Sequence, residues 1–154
     1  MPAGVVTSVE DVYRLHGARL WRAVLAFSRD PEVASDAVAE AFAQALARGS
    51  AIHSPLGWIW RAAFRIAAGS LKGRHLPLEA LPEDSYELPE SDDQLLDALA
   101  RLPDRQRAAL ILRYYADLPI REISAVLGAN APLVRVDLMR GRRRLRSLLE
   151  VHDA

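Results

Sequence analysis

The chain has 154 residues, of which 51% are apolar and 26% charged, a composition typical of one ordinary domain or two very small ones. It contains no cysteine, which excludes disulfide bonds and thiolate chemistry. No apolar run is long enough to cross a bilayer, and residues 1–11 do not resemble a secretory signal. These features predict a cytoplasmic protein with no membrane partner.

The formal net charge of zero conceals an uneven distribution. Residues 1–74 carry a net charge of +3, residues 75–98 of −8 and residues 99–154 of +5. Two basic modules joined by an acidic segment are typical of proteins that contact a polyanion such as nucleic acid. A solvated acidic loop between two ordinary domains explains the same charges equally well.

Three helices are predicted in the first half of the chain. Apolar spacing predicts a helix over residues 12–28, whose buried face is expected to contain Leu15, Leu20, Val24 and Phe27. Asp30 and Pro31 form a cap and first-turn pair for an alanine-rich helix over residues 31–48. A third helix begins at Pro55, with Trp58 expected in its core face and Trp60 expected to be exposed.

Residues 75–94 are predicted to be a linker. The segment is rich in proline and has no helical or alternating period, so neither a helix nor a central strand should run through it. Helical patterns return over residues 92–99 and 103–115. The sequence therefore predicts an all-α protein with two small helical domains, residues 9–74 and 95–150, joined by an acidic, proline-containing linker.

The sharpest pattern lies between residues 119 and 146. A short helix over residues 119–127 is followed by Gly128, which is suited to the left-handed conformation that ends a helix. Asn130 can cap the next helix, and Pro132 lies in its first turn. Ser124 is small, as required where two helices cross closely. This pattern predicts a C-terminal helix-turn-helix.

The second helix of this motif, residues 131–149, divides into two faces. Its buried stripe is expected to contain Val134, Leu138, Gly141, Leu145 and Leu148. Arg135, Arg142 and Arg146 are expected on the opposite side, and six arginines fall between residues 135 and 146. A helix of this kind can enter the major groove, where arginines neutralise phosphates or pair with guanine.

Several motifs together carry a resemblance to a known family. The segments Leu102-Pro-Asp-Arg-Gln-Arg107, Leu110–Tyr115 and Ile123–Gly128 resemble the C-terminal domain of bacterial sigma factors of the extracytoplasmic-function type. The N-terminal half resembles the first domain of the same family at Asp36, Glu40, Phe42, Trp58, Ile59 and Arg61.

The resemblance implies a sigma factor that directs core RNA polymerase to specific promoters and initiates transcription. The first domain would dock on the polymerase through Asp36, Glu40 and Gln44 and hold a base of the minus-ten element. The second domain would read the minus-thirty-five element. The residues expected to contact DNA are Asn130, Leu133, Arg135, Val136, Met139, Arg140, Arg142 and Arg143, together with Trp60, Arg61 and Arg65 of the first domain. An anti-sigma factor is a further candidate partner.

Departures from the family pattern leave alternatives open. Arg65 and Gly69 replace an asparagine and an aspartate, and Asp137 would repel phosphates if it faced DNA. Leu133 and Val136 stand where polar residues are usual, and they suit thymine methyl groups instead. A degenerate sigma-like protein that binds polymerase or a partner without reading DNA fits these departures. The helix-turn-helix also fits a stand-alone transcriptional regulator.

Catalytic and metal-binding signatures are lacking in the sequence. It contains no phosphate-binding loop, dinucleotide motif, nucleophile elbow or zinc signature, and its four histidines are scattered. We therefore expect no enzymatic activity, no cofactor and no metal site.

Overall fold

A computed structural model of the chain describes residues 8–72 and 93–153. Within these ranges the regular elements are a short 3₁₀ turn (Gly49–Ala51) and the helices α1 (Val9–Ser28), α2 (Pro31–Arg48), α3 (Pro55–Lys72), α4 (Asp93–Ala100), α5 (Asp104–Tyr114), α6 (Ile120–Leu127) and α7 (Ala131–Asp153). The predicted all-α fold is confirmed.

The chain divides into two compact units, Met1–Glu87 and Leu88–Ala154, here called the N-terminal and C-terminal units. The division falls inside the predicted linker, residues 75–94. Most of that segment lies outside the described residues, so the linker and the predicted domain limits stay predictions.

Side-chain caps fix the ends of the first two helices. The Ser8 hydroxyl accepts a hydrogen bond from the backbone N–H of Asp11 (3.1 Å), so α1 begins three residues earlier than the predicted residue 12. The Asp30 carboxylate accepts from the N–H groups of Glu32 (3.0 Å) and Val33 (3.3 Å), which sets the start of α2 where the sequence predicts it.

The buried face of α1 differs from the prediction at one position. Leu20, Val24 and Phe27 are buried as expected, but Leu15 is 59% exposed, and its predicted burial is wrong. Val9 and Val12 complete the buried face instead, because they lie on the same side of the helix as Leu20 whereas Leu15 does not.

Helix α3 is the most deeply buried helix of the N-terminal unit, and it packs against both α1 and α2. Trp58 is 1% exposed, as predicted for a core residue. Trp60 is fully buried, so its predicted exposure is wrong. Its ring lies beside Phe64, with centroids 6.4 Å apart, and Phe64 meets Phe27 of α1 edge-on at 5.6 Å. Nearly every residue from 57 to 69 is buried, so α3 is covered around most of its circumference and two tryptophans two residues apart both lie in the interior.

The C-terminal unit is built on α5 and α7, which α4 and α6 flank. Gly141 allows the close approach of α7 to α5, since a Cβ atom there would lie 2.9 Å from Cδ1 of the buried Leu110. Among the described residues, no helix is both long and apolar enough to cross a membrane.

Candidate nucleic-acid interface

The predicted helix-turn-helix is present as α6, a short turn and α7. Gly128 has a left-handed backbone (φ 66°), and its N–H donates to the carbonyl of Ser124, which also accepts from Ala129 (3.1 Å). The Asn130 Oδ1 atom accepts from the N–H of Leu133 at 2.9 Å and caps α7. The turn chemistry predicted from Gly128 and Asn130 is therefore confirmed.

The buried stripe of α7 follows the prediction, but its arginines follow it only in part: Arg142 and Arg146, predicted opposite the stripe, line an apolar groove instead. Val134, Leu138 and Gly141 are buried against the unit, while Leu145 and Leu148 are only partly covered. Arg135, Arg140 and Arg143 are exposed. Arg143 follows Val134 by nine residues, which at 100° per residue places it on the side farthest from the core. The surface centred on Arg143 is therefore the face of α7 that is open to a large partner.

Asp137 does not face that surface, which corrects the expected repulsion of DNA phosphates. It is 8% exposed, and its Oδ2 atom accepts a hydrogen bond from Nε of Arg105 on α5 at 3.2 Å. The carboxylate is therefore compensated by a cation within the unit. Asp137 joins α7 to α5 instead of lying toward a phosphate backbone.

Arg142 is also placed differently from the other predicted DNA contacts. Its Nε atom donates to the Tyr114 hydroxyl at 2.6 Å. Both residues line an apolar groove of about 450 Å³ whose other lining residues include Leu95, Leu99, Leu110, Tyr115, Leu145 and Leu149. Arg142 thus lies on the flank of α7 that borders α4 and α5, away from Arg143.

The three DNA contacts predicted in the N-terminal unit are buried. Trp60 is fully buried, Arg61 is 1% exposed and Arg65 is 5% exposed. Burial lowers the pKa of Arg65 from its ordinary value, because a charged guanidinium is less stable away from water. In this conformation these side chains are covered, so stacking or pairing with a DNA base would require them to become exposed.

The predicted docking residues share one side of α2. Asp36 and Glu40 are exposed and Gln44 is partly exposed, and the Gln44 Nε2 atom donates to Oε1 of Glu40 at 2.8 Å. We call these three residues the acidic row. Beside it runs a groove of about 630 Å³ between α1 and α2, whose lining includes Tyr13, Trp21, Val38, Phe42 and Leu46.

Comparison with known proteins finds a sigma-factor region in the C-terminal unit and similarity to sigma factors along nearly the whole chain. The family described as "Sigma-70, region 4" matches residues 92–145, which contain the helix-turn-helix. The ECF RNA polymerase sigma factor SigE of Mycolicibacterium smegmatis is 29% identical, with 96% of this chain and 63% of the relative aligned. The RNA polymerase sigma-E factor of Streptomyces antibioticus is also 29% identical, over 99% of this chain and 91% of the relative.

The C-terminal unit therefore contains a sigma-70 region 4, and the chain as a whole is similar to extracytoplasmic-function sigma factors. It spans about two thirds of the M. smegmatis relative and nearly all of the Streptomyces one. In fold it is similar to the sigma factor RpoE of Bartonella quintana, solved in complex with the anti-sigma factor NepR, at a TM-score of 0.50 and 18% identity. That match covers 92% of this chain and 96% of the solved one.

Two residues that position polar side chains of α7 in the C-terminal unit were missed by sequence reasoning. Both lie on α5. Arg105 hydrogen-bonds to Asp137 of α7, 32 residues away in sequence, and Tyr114 to Arg142, 28 residues away. Neither pairing has a local signal, because the partners meet only when the two helices pack. Arg107 of the same leucine-proline motif is a structural residue, since its Nη1 atom donates to the carboxylate of Asp104 at 2.8 Å while 5% exposed.

Replacing Asp137 with asparagine tests the position of its carboxylate. We expect D137N to lower the free energy of unfolding of the C-terminal unit by about 0.2–1 kcal/mol, since the half-exposed Arg105 loses its ion pair. Promoter affinity should change by less than about threefold, because no repulsion with DNA is relieved. Amide hydrogen exchange and filter binding measure the two quantities. An increase in affinity of tenfold or more would mean that the carboxylate faces phosphate.

Arg142 and Arg143 are adjacent on α7 and provide a matched pair for DNA binding. We expect R143Q to weaken promoter binding about tenfold, as for the loss of one good contact, and R142Q to weaken it less than about twofold. The difference follows from the bond between Arg142 and Tyr114 on the groove side of the helix. Equal losses in anisotropy titrations with promoter DNA would contradict this assignment.

Proposed function

We propose that this chain is a sigma factor that binds core RNA polymerase, directs it to a subset of promoters and starts transcription there. The C-terminal unit reads the upstream promoter element through α7, and the N-terminal unit provides the main polymerase contact. The role requires no chemical step from this chain, and it places the protein in the cytoplasm with the polymerase.

The observation that carries the proposal is the composition of the outer face of α7. Arg135, Arg140 and Arg143 are exposed on the second helix of a capped helix-turn-helix, and the one acid between them is turned into the unit. This arrangement supplies positive charge for phosphates without a competing negative charge. Similarity to RNA polymerase sigma factors along the chain adds the polymerase, which a helix-turn-helix alone does not imply.

The acidic row and the groove beside it support a docking surface in the N-terminal unit. Carboxylates at Asp36 and Glu40 stand next to an open apolar groove that includes the 66% exposed Tyr13 and the 56% exposed Leu46. An apolar centre with a charged rim is typical of a protein interface. We propose that core polymerase presents a basic, partly apolar helical element to this surface.

Titration of dye-labelled protein with core RNA polymerase tests this surface directly. We expect saturable binding with one chain per core enzyme, weakened at least about tenfold when Asp36 and Glu40 are both replaced by lysine. Replacing the exposed acids Asp97 and Glu150 of the C-terminal unit by lysine is the control, because it makes the same change in net charge. Absence of binding at micromolar core enzyme would contradict the proposal.

Footprinting with the assembled holoenzyme distinguishes the alternatives. A sigma factor should protect two elements of different sequence, whereas a stand-alone dimeric regulator should protect a palindrome with half-sites about one helical turn apart. A second candidate function is favoured by the burial of Trp60, Arg61 and Arg65: a sigma-like protein that binds polymerase without opening DNA. Permanganate-reactive thymines at the start site would exclude that candidate.

An anti-sigma factor is proposed as a regulatory partner. The support is the similarity to sigma factors along the chain, together with the solved similar fold that contains such a partner. Competition between the partner and core polymerase for the labelled chain would test it, and simultaneous binding of both would contradict an inhibitory role.

A further inference from the structure

Three apolar side chains form a row along the outer face of α7. Leu133 is 36% exposed, Met139 is 48% exposed, and Val136 between them is partly exposed. They follow one another at three-residue spacing, which keeps neighbouring side chains adjacent on a helix surface. We call these three residues the apolar row. A contiguous row of exposed apolar side chains is one mark of a binding surface.

The surroundings of the apolar row indicate what that partner is. Arg135, Arg140 and Arg143 flank the row and are all exposed. Asp137, the one acid between residues 131 and 149, is turned away to Arg105. A cationic rim without an accompanying acid suits a polyanion, and it disfavours an ordinary protein surface of mixed charge.

The chemistry of α7 also limits which bases it can recognise. Adenine is read by asparagine or glutamine, but residues 131–149 contain neither amide. Asn130 precedes the helix, and its Oδ1 atom is already engaged by the N–H of Leu133 at 2.9 Å. Apart from Ser147, which lies about four and a half turns of helix beyond the capped end of α7, the side chains that remain for direct readout are arginine, which pairs with guanine, and apolar groups, which contact the C5-methyl group of thymine.

We propose that the apolar row reads thymine methyl groups in the major groove of the upstream promoter element, with guanines read by the neighbouring arginines. This inference rests on the proposed function, because it assigns base specificity to the same DNA-reading face. The element recognised by this chain therefore contains thymine, on either strand, at positions between or beside guanines.

Replacement of thymine by deoxyuridine tests the proposal, since it removes the methyl group and leaves base pairing intact. The preferred upstream element is first selected from random duplexes with the holoenzyme formed by the full chain. Deoxyuridine is then placed at each thymine in turn. We expect a loss of affinity of about fourfold at each methyl that the row covers. Thymines outside the protected element should show no loss.

Protein variants connect each methyl to a side chain. L133A or M139A should weaken binding to the thymine-containing element, and deoxyuridine should then cause no further loss at the matching position. A variant that acted only through folding would leave the deoxyuridine effect intact. L15A, which truncates a 59% exposed leucine on α1, is the control, and it should retain the full fourfold effect.

The outcomes separate this proposal from the proposed function. Protection of an upstream element that contains no thymine, or equal affinity for thymine and deoxyuridine throughout it, would overturn the methyl readout and leave the sigma factor role intact. A holoenzyme that protects no upstream element would overturn both. A deoxyuridine penalty that disappears in L133A or M139A, and not in L15A, supports the assignment.

Discussion

A chain in which Arg135, Arg140 and Arg143 are all replaced by glutamine should bind promoter DNA at least about 100-fold more weakly than the native chain in the holoenzyme. The three side chains are exposed on the outer face of α7, so their loss should change DNA binding without disturbing the core. If each contacts a phosphate, the slope of log affinity against log salt should fall by roughly 3. Anisotropy titrations at several salt concentrations measure both effects.

The control for that experiment removes the same charge elsewhere. Arg14, Arg22 and Arg29 are exposed on α1 or at its end, and their combined replacement by glutamine lowers the net charge equally. If this control lost affinity to the same degree, DNA binding would depend on overall charge and not on α7. A reduced affinity with an unchanged salt slope would instead indicate base contacts.

Truncation of Phe64 to alanine is expected to have the largest effect on stability. Phe64 is fully buried in α3 and contacts Phe27 and Trp60, so F64A should lower the free energy of unfolding of the N-terminal unit by about 3–5 kcal/mol. The three tryptophans of the chain, Trp21, Trp58 and Trp60, all belong to this unit. Tryptophan fluorescence during urea unfolding therefore reports on the unit by itself.

Two comparisons make the Phe64 result interpretable. L46A truncates a side chain that is 56% exposed on α2, and it should change stability by no more than about 0.5 kcal/mol. Hydrogen exchange in α5 and α7 should be unaltered by F64A if the units unfold independently. A loss of less than about 1 kcal/mol for F64A would mean that α3 is not the most deeply buried helix of its unit.

The helices could be predicted from sequence because their ends are set by local chemistry. Asp30, Gly128 and Asn130 act within four residues of their own position, and each does what its residue type predicts. The burial of Trp60 could not be predicted from local chemistry in the same way. A single helix pattern indicates one buried face, whereas α3 is covered around most of its circumference, and that coverage is a property of the tertiary fold.

The candidate DNA-binding face of α7 shows the same limit of prediction from sequence. An arginine-rich outer side of α7 was predicted, but its members were only partly right, since Arg142 and Arg146 line the groove and Arg143 lies farthest from the core. The positions of Asp137 and Arg142 depend on α5, because Arg105 and Tyr114 of that helix form hydrogen bonds with them. Of the six arginines between residues 135 and 146, sequence spacing alone cannot tell which ones another helix engages.

The junction between α1 and α2 has a consequence for how this chain can vary in length. Arg29 adopts a left-handed backbone (φ 59°) and donates its N–H to the carbonyl of Leu25 at 2.7 Å, and the next residue, Asp30, already caps α2. One helix therefore ends and the next begins with no residue to spare. Deleting either residue would remove one of the two caps, and an inserted residue would separate two caps that now follow each other directly. Relatives should accordingly tolerate gaps between other helices and almost none at this joint.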